Sequence, residues 1–79
     1  MMDDNELVFH REIGTRIREA RQKCGMSQTD LAIAAGLGTQ HISDIEHGKK
    51  RMKLITFLRI ADALNMPAMD LLFPDGIDS

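Results

Sequence analysis

The chain has 79 residues and a formal net charge of −2, a length that suits one domain near the lower limit for a self-sufficient hydrophobic core. Its residues are 43% apolar and 28% charged, as in ordinary soluble globular domains, and the three aromatic residues are all Phe. A core built mostly from Leu, Ile, Ala and Met favours helices over a β-sandwich. We expect neither a signal peptide nor a membrane span, because the N-terminus is acidic and no apolar run approaches about 20 residues.

The charged residues are distributed unevenly. Acidic residues collect near both ends, whereas all ten Lys and Arg residues lie between Arg11 and Arg59. Salt screens charges that are more than about 10 Å apart, so a local basic surface is compatible with a negative net charge. The single cysteine, Cys24, cannot form an intramolecular disulfide, which is typical of a cytoplasmic protein.

The first predicted helix carries an apolar residue at every third or fourth position. This stripe consists of Phe9, Ile13, Ile17, Ala20 and Cys24. Gly25 is placed to end the helix in a left-handed conformation, and Cys24 is expected to be a small core residue rather than a reactive thiol. Residues 1–8 are predicted to be a flexible acidic lead-in, residues 9–73 the folded domain, and residues 74–79 a flexible tail.

Two short helices joined by a glycine-containing link come next. Ser27 and Asp30 resemble a capping box and predict the start of a helix that ends at Gly36. Its small apolar face consists of Leu31, Ala32 and Ala35. The third helix is predicted to run from Thr39, as its N-cap or first-turn residue, to about His47.

A basic loop and two further helices complete the chain. The loop contains Lys49, Lys50, Arg51, Met52 and Lys53. The fourth helix, residues 54–64, is predicted to have an apolar side made of Leu54, Phe57, Leu58, Ala61 and Leu64. Asn65 can close this helix, and Pro67 is expected at the first position of a fifth helix that ends near Phe73. The sequence therefore predicts an all-α domain of five helices.

The third helix has one apolar and one polar side. On a helical wheel, Ile42 and Ile45 mark the buried side. The outward residues are Gln40, Ser43, Asp44 and His47, with Thr39 at the exposed N-terminal end. Gln can bond adenine N6 and N7 together, Thr can touch a thymine methyl group, and Asp can accept from cytosine N4. The pattern is typical of a DNA-reading helix-turn-helix, although any solvated helix face is also polar.

These residues resemble the Xre family of helix-turn-helix regulators, which includes the phage repressor and Cro proteins. The resemblance covers about three quarters of the chain and is carried by Ile17-Arg18-x-x-Arg21, Ser27-Gln28-x-x-Leu31-Ala32, Gly36, Ile42-Ser43-x-Ile45-Glu46-x-Gly48 and Leu58-x-x-Ala61-x-x-Leu64. It implies a lambda-repressor-like DNA-binding domain with the helix-turn-helix at its second and third helices.

The resemblance also implies roles for individual residues. The positions that match base-contacting residues or the edge of the groove are Thr39, Gln40, Ser43 and Asp44. The positions that match contacts to the DNA backbone are Gln28, His47, Lys49 and Lys50. Arg21 and Glu46 match an ion pair that ties the first helix to the end of the third.

Two of these assignments have a competing interpretation. An acid at Glu46, at the margin of the buried side, needs a partner because an unpaired buried charge is costly, but Arg21 and Glu46 could also be unrelated surface charges. Asp44 would repel phosphates unless it meets a cytosine amino group, and it could instead be a solvated helix position.

These observations predict a transcriptional regulator, a repressor or controller protein, that binds a palindromic operator in double-stranded DNA as a homodimer. The fourth and fifth helices are expected to form the dimer surface, although their apolar residues could instead be simply core. These residues are Phe57, Leu58, Met66, Met69, Leu72 and Phe73. We expect no metal, because the three histidines and Cys24 lack metal-ligand spacing, and no catalysis, because the periodicity places no nucleophile beside the histidines. Nor do we expect a cofactor or a small-molecule ligand. The alternative is an antitoxin or other protein-interaction module, which the acidic pI of about 5.8 permits.

Overall fold

The computed structural model describes residues 2–73, and this part of the chain contains five α-helices and no strand. The helices are α1 (Asp4–Lys23), α2 (Gln28–Ala35), α3 (Thr39–Glu46), α4 (Leu54–Ala63) and α5 (Ala68–Leu72). The prediction of an all-α domain with five helices is confirmed. The predicted tail, residues 74–79, lies outside the described residues.

Side-chain caps determine where the first two helices begin. Asp3 accepts a hydrogen bond from the Glu6 backbone N–H at 2.8 Å, so α1 begins at Asp4 and residues 4–8 are helical rather than a flexible lead-in. Ser27 and Asp30 form the predicted capping box at the start of α2. The backbone and side-chain hydrogen bonds with Ser27 lower the pKa of Asp30, because they favour its ionised form.

Four of the helices end in the same way. A residue one or two positions after the last helical residue adopts a left-handed backbone, at Gly25, Gly36, Gly48 and Asn65. The following N–H then bonds back to a carbonyl of the last turn, as from Leu37 to Ala32 at 2.8 Å and from Lys49 to Asp44 at 2.9 Å. The predicted ends of these helices are thus confirmed. The position of Pro67 differs slightly from the prediction, because Pro67 is the N-cap of α5 and not its first residue.

One apolar core joins the five helices. It consists of Ile13, Ile17, Ala20, Leu31, Ala32, Ala35, Ile42, Ile45, Phe57, Ile60, Ala61, Leu64 and Leu71. Within it α3 packs against α1 and α2, α4 packs against α2, and α5 packs against α4 and α1. This arrangement leaves α2 and α3 as adjacent helices on one side of the domain.

Several residues predicted to be buried are exposed. On α4 the buried face turns towards Ile60, which is fully buried, and leaves Leu54 and Leu58 exposed at 72% and 45%. Phe9 is 51% exposed and packs edge-on against the ring of His10 at the margin of the domain. Cys24, the C-cap of α1, is exposed, so it is not the small core residue that the sequence predicted.

An unpredicted arginine contact holds the short α5 helix against α1. The Nη1 atom of Arg16 donates to the carbonyl oxygens of Leu71 and Leu72 at 3.1 and 2.9 Å. These carbonyls lack helical partners because they lie in the last turn of α5. The arginine therefore satisfies them and joins two distant parts of the chain.

The backbone of α1 lies directly against the end of α3. A Cβ atom at Gly14 would lie 2.6 Å from the carbonyl oxygen of Glu46 and would also contact that of Ile45. A Cβ atom at Gly48 would lie 2.8 Å from the Cα of Arg11, and the φ of +66° at Gly48 independently favours glycine. Glycine at these two positions lets α1 fix the location of the end of α3.

We predict that Gly14→Ala destabilises the domain by about 1–3 kcal/mol, because the added methyl group meets backbone atoms that cannot rotate away. Urea unfolding followed by circular dichroism would measure this change. The sign of the change in the free energy of unfolding is decisive, because a Gly→Ala substitution in an uncrowded helix stabilises that helix by up to about 1 kcal/mol. A Gly14→Ala protein more stable than the original would contradict the close contact.

Candidate nucleic-acid interface

The orientation of α3 separates its two sides as predicted for most of its residues. Ile42 and Ile45 are 0% and 3% exposed and anchor the helix in the core. On its other side, Thr39, Gln40 and His47 are exposed and Ser43 is half-buried. The helix therefore presents a short polar edge to solvent over its whole length.

The N-termini of α2 and α3 lie side by side on this surface. The hydroxyl of Thr39 lies 3.4 Å from the hydroxyl of Thr29, and Thr29 directly follows Gln28. Thr29 is exposed and was not identified from the sequence. Its position between Gln28 and the capping-box residue Asp30 was the available signal, because the first helix of a helix-turn-helix lies across the backbone of DNA.

A buried carboxylate connects the end of α3 to the rest of the domain. Arg21 donates two hydrogen bonds to the Glu46 carboxylate, from Nε at 2.7 Å and from Nη2 at 3.2 Å. The Glu46 side chain is 1% exposed. The remaining Nη1 of Arg21 donates to the carbonyl of Met26 at 2.8 Å. The expected ion pair is therefore present as a bidentate contact, and it also holds the link between α1 and α2.

The same carboxylate positions Gln28. The Nε2 atom of Gln28 donates to Oε1 of Glu46 at 3.1 Å. A carboxylate can only accept, so this contact fixes which end of the Gln28 amide faces inward. The second N–H and the carbonyl oxygen of the half-buried Gln28 side chain are left for other partners.

Asp44 differs from the helical-wheel prediction. It lies on the polar side of α3 but is only 8% exposed, because two neighbouring side chains cover it. Gln40 donates from Nε2 to Asp44 Oδ1 at 3.0 Å, and Lys50 places Nζ 3.3 Å from Oδ2. The alternative interpretation of Asp44 as a solvated helix position is therefore wrong, whereas its contact to a base stays a prediction.

These partners lower the pKa of Asp44, first through the hydrogen bond from Gln40 and then through Lys50 and Lys49. A carboxyl pKa that is lower in the fold stabilises the fold above the ordinary carboxyl pKa, and this contribution is lost as pH falls through the lowered value. The network is consequently complete at neutral pH.

His47, the C-cap of α3, has a defined tautomer. Its Nδ1 lies 2.7 Å from the carbonyl oxygen of Ser43, which can only accept, so Nδ1 carries a hydrogen. This contact leaves Nε2, the other ring nitrogen, for a different partner.

The basic loop (residues 49–53) is attached to the start of α1. Arg51 binds Glu6 through Nε and Nη2 at 2.7 and 3.2 Å, which lowers the pKa of Glu6 and raises that of Arg51. Lys49 and Lys50 remain exposed at the end of α3. The three consecutive cations of the loop therefore divide into two beside α3 and one that binds α1.

Within residues 2–73, no group of three or more His, Cys, Asp or Glu side chains could hold a metal ion. No helix in this part of the chain is long and apolar enough to cross a membrane.

We predict that Glu46→Ala destabilises the domain by about 3–5 kcal/mol, because Arg21 is left with an uncompensated, largely buried charge. Urea unfolding measures the loss. The control is Glu6→Gln, which removes the charge of an exposed ion pair and should have a far smaller effect. Equal effects of the two substitutions would contradict the special role of the buried pair.

The comparisons with known proteins agree with this geometry. The sequence model of the family described as Helix-turn-helix matches residues 17–71. The control protein C.BamHI of Bacillus amyloliquefaciens is 38% identical over 73 residues, which cover 91% of this chain and 85% of that protein. The ImmF control region 10 kDa protein of Bacillus phage phi105 is 32% identical over 56 residues, which cover 71% of this chain and 62% of that protein.

A solved structure shows the same fold at substantial sequence identity. The restriction-modification controller protein C.AhdI from Aeromonas hydrophila superposes with a TM-score of 0.76 and 33% identity, over 77% of this chain and 92% of that chain. The family match extends from α1 to α5 and includes the Arg21–Glu46 pair and the polar edge of α3. The chain therefore belongs to the Xre family of helix-turn-helix transcriptional regulators.

Proposed function

We propose that this chain binds double-stranded DNA in a sequence-specific manner, in the cytoplasm, and regulates transcription by placing α3 in the major groove. The observation that carries the proposal is the polar edge of α3, held at a fixed position by the core, by the Gly14 contact and by the buried Glu46 carboxylate. An α-helix fits the major groove, where each base pair presents a distinct pattern of donors and acceptors.

Within this proposal the exposed residues have two kinds of role. Thr39, Gln40 and Ser43 contact base edges, because they lie on the outward side of α3. The contacts to phosphates come from Gln28, His47, Lys49 and Lys50, which flank α3 at both ends. Phosphate contacts position the protein, whereas base contacts specify the sequence.

We further propose that the protein binds a palindromic operator as a homodimer. Exposed apolar side chains on α4 and around α5 offer a dimer surface, through Leu58, Met69 and Phe73, which are 45%, 45% and 47% exposed. Phe57 is core, and Met66 and Leu72 pack against the core, so these three contribute less than the sequence suggested. Two copies can read half-sites about one helical turn apart.

The names of the relatives support a controller or repressor role. C.BamHI and C.AhdI are a control protein and a restriction-modification controller protein, and the phage relative belongs to a control region. We propose a comparable role here, in which the protein controls transcription through its own concentration and needs no small-molecule ligand.

Selection of bound sequences from a random duplex pool tests the proposal. We expect an enriched palindrome with half-sites about 10 base pairs apart, and an affinity that falls steeply with added salt because phosphate contacts release counterions. Absence of an enriched site together with salt-insensitive binding would contradict the proposal and favour a protein-interaction module.

Two glutamine substitutions separate the two kinds of contact. Gln40→Ala should relax the preference at one base position of each half-site, at a cost of about 1–3 kcal/mol for the preferred base. Gln28→Ala should weaken binding to all duplexes alike, since it removes a contact to the DNA backbone. Fluorescence anisotropy with single-base variants of the selected site would measure both. Identical specificity profiles for the two proteins would contradict these roles.

For the dimer, we predict that Leu58→Lys shifts the protein to monomers and weakens binding to the full palindrome, because a charge must be buried at the interface. Sedimentation velocity at micromolar concentration measures the oligomeric state. The matched control is Val8→Lys, which makes the same kind of change at an exposed apolar residue of α1. A Leu58→Lys protein that remains dimeric would place the interface elsewhere.

A further inference from the structure

Asp44 is an acid in the middle of the surface that the proposed function places against DNA. An exposed carboxylate there would repel phosphates, yet the structure covers it to 8% exposure with the side chains of Gln40 and Lys50. Neither of its interpretations from the sequence, a cytosine contact or a solvated position, includes these two partners. Their geometry suggests a different role.

The contact between Asp44 and Gln40 is directional. The two residues lie one turn apart on α3, so their side chains share a face. Asp44 can only accept, and the hydrogen bond of 3.0 Å from Gln40 Nε2 therefore fixes the orientation of the Gln40 amide. One N–H of Gln40 is used in this contact, and the other N–H and the carbonyl oxygen are left.

We propose that Asp44 is a positioning residue that orients the Gln40 amide for adenine in the major groove. The inference rests on the proposed function, because it assumes that Gln40 contacts a base edge. Adenine presents one acceptor, N7, and one donor, N6, which match the one donor and one acceptor that Gln40 has left. Guanine presents two acceptors, N7 and O6, and cannot be matched by an amide with a single remaining donor.

Lys50 offsets the charge of the carboxylate in this arrangement. Its ammonium group lies 3.3 Å from Asp44 Oδ2, while 67% of its side chain is exposed. An ammonium group has three donors, so the contact with Asp44 leaves donors for a phosphate oxygen. Asp44 thereby holds a base-reading side chain through one oxygen and a phosphate-binding side chain through the other.

The test compares the binding of wild-type protein and Asp44→Ala to the selected duplex and to a variant with guanine in place of the adenine that Gln40 reads. Gln40→Ala identifies that adenine as the position at which it relaxes the preference. We expect Asp44→Ala to reduce the adenine-to-guanine affinity ratio about tenfold, because the Gln40 amide can then turn and offer two donors. Loss of the two contacts of Asp44 should lower the melting temperature modestly, and any change in phosphate contact through Lys50 should affect both duplexes alike, so the affinity ratio reports the Gln40 amide alone.

Two control variants separate Asp44 from general effects of charge and from its other partner. Asp62→Ala removes an exposed acid on α4 and should leave the adenine preference intact. Lys50→Ala should also keep the preference while it reduces the salt dependence by about one phosphate contact. If Asp44→Ala keeps the adenine preference that Gln40→Ala loses, the inference is overturned while the proposed function stands. If wild-type protein selects no sequence, the proposed function itself fails.

A measurement on the free wild-type protein tests the orientation without any substitution at Asp44. The side-chain amide of Gln40 should be nearly as rigid on the picosecond to nanosecond timescale as the helix backbone, with an NMR order parameter near 0.85. Gln22, exposed on α1, provides the comparison and should be flexible, with a value below about 0.6. A Gln40 amide as mobile as that of Gln22 would overturn the inference.

Discussion

The carboxylate of Glu46 is the group on which the arrangement of the helix-turn-helix depends. An ion removed from water needs its full set of partners, and this one receives two hydrogen bonds from Arg21 and one from Gln28. These donors belong to α1 and to the first turn of α2, while the acceptor is the last residue of α3. One buried charge thus sets the relation between three helices, and any change in their spacing would leave part of it unpaired.

The close approach of backbones makes this electrostatic arrangement possible. Arg21 can reach Glu46 because α1 lies against the end of α3, where Gly14 and Gly48 leave no room for a side chain. The buried side chains of Ile42 and Ile45 anchor α3 in the apolar core. The glycine contacts and the ion pair then set how closely α3 approaches α1 and how it is oriented. Packing alone is non-directional, so these additional constraints are what give the polar edge of α3 a single position.

Local signals made much of the fold predictable. The capping box at Ser27, the left-handed glycines and the two isoleucines of α3 act over a few residues, and the structure contains them all. Contacts that depend on the path of the chain were not predictable. The burial of Asp44 needs Lys50 to return from the loop, and the contact from Arg16 to α5 joins residues more than 50 positions apart.

The wrong predictions share a physical reason. Periodicity identifies an apolar stripe on a helix but not how far the neighbouring helices extend along it. Phe9 in the second turn of α1 and Leu54 at the start of α4 are therefore exposed despite their correct spacing. The apolar residues of α4 cover so wide a face that the sequence leaves the rotation of the helix about its axis open. In the structure Ile60 lies in the core and Leu58 does not. For the candidate interface, the sequence identified the polar edge of α3 but not the hydrogen bonds among its own side chains.

The contact between Glu6 and Arg51 has a practical consequence for the architecture of the molecule. It brings the first turn of α1 next to the basic loop, although 45 residues separate Glu6 from Arg51 in sequence. The amino-terminal end of the domain is consequently a neighbour of the loop that leaves α3. A peptide tag or a fused domain placed before residue 4 would emerge near Arg51 of the basic loop, where its own charge would alter the local electrostatic potential. An uncharged linker at that end would leave the electrostatic potential of this surface unchanged.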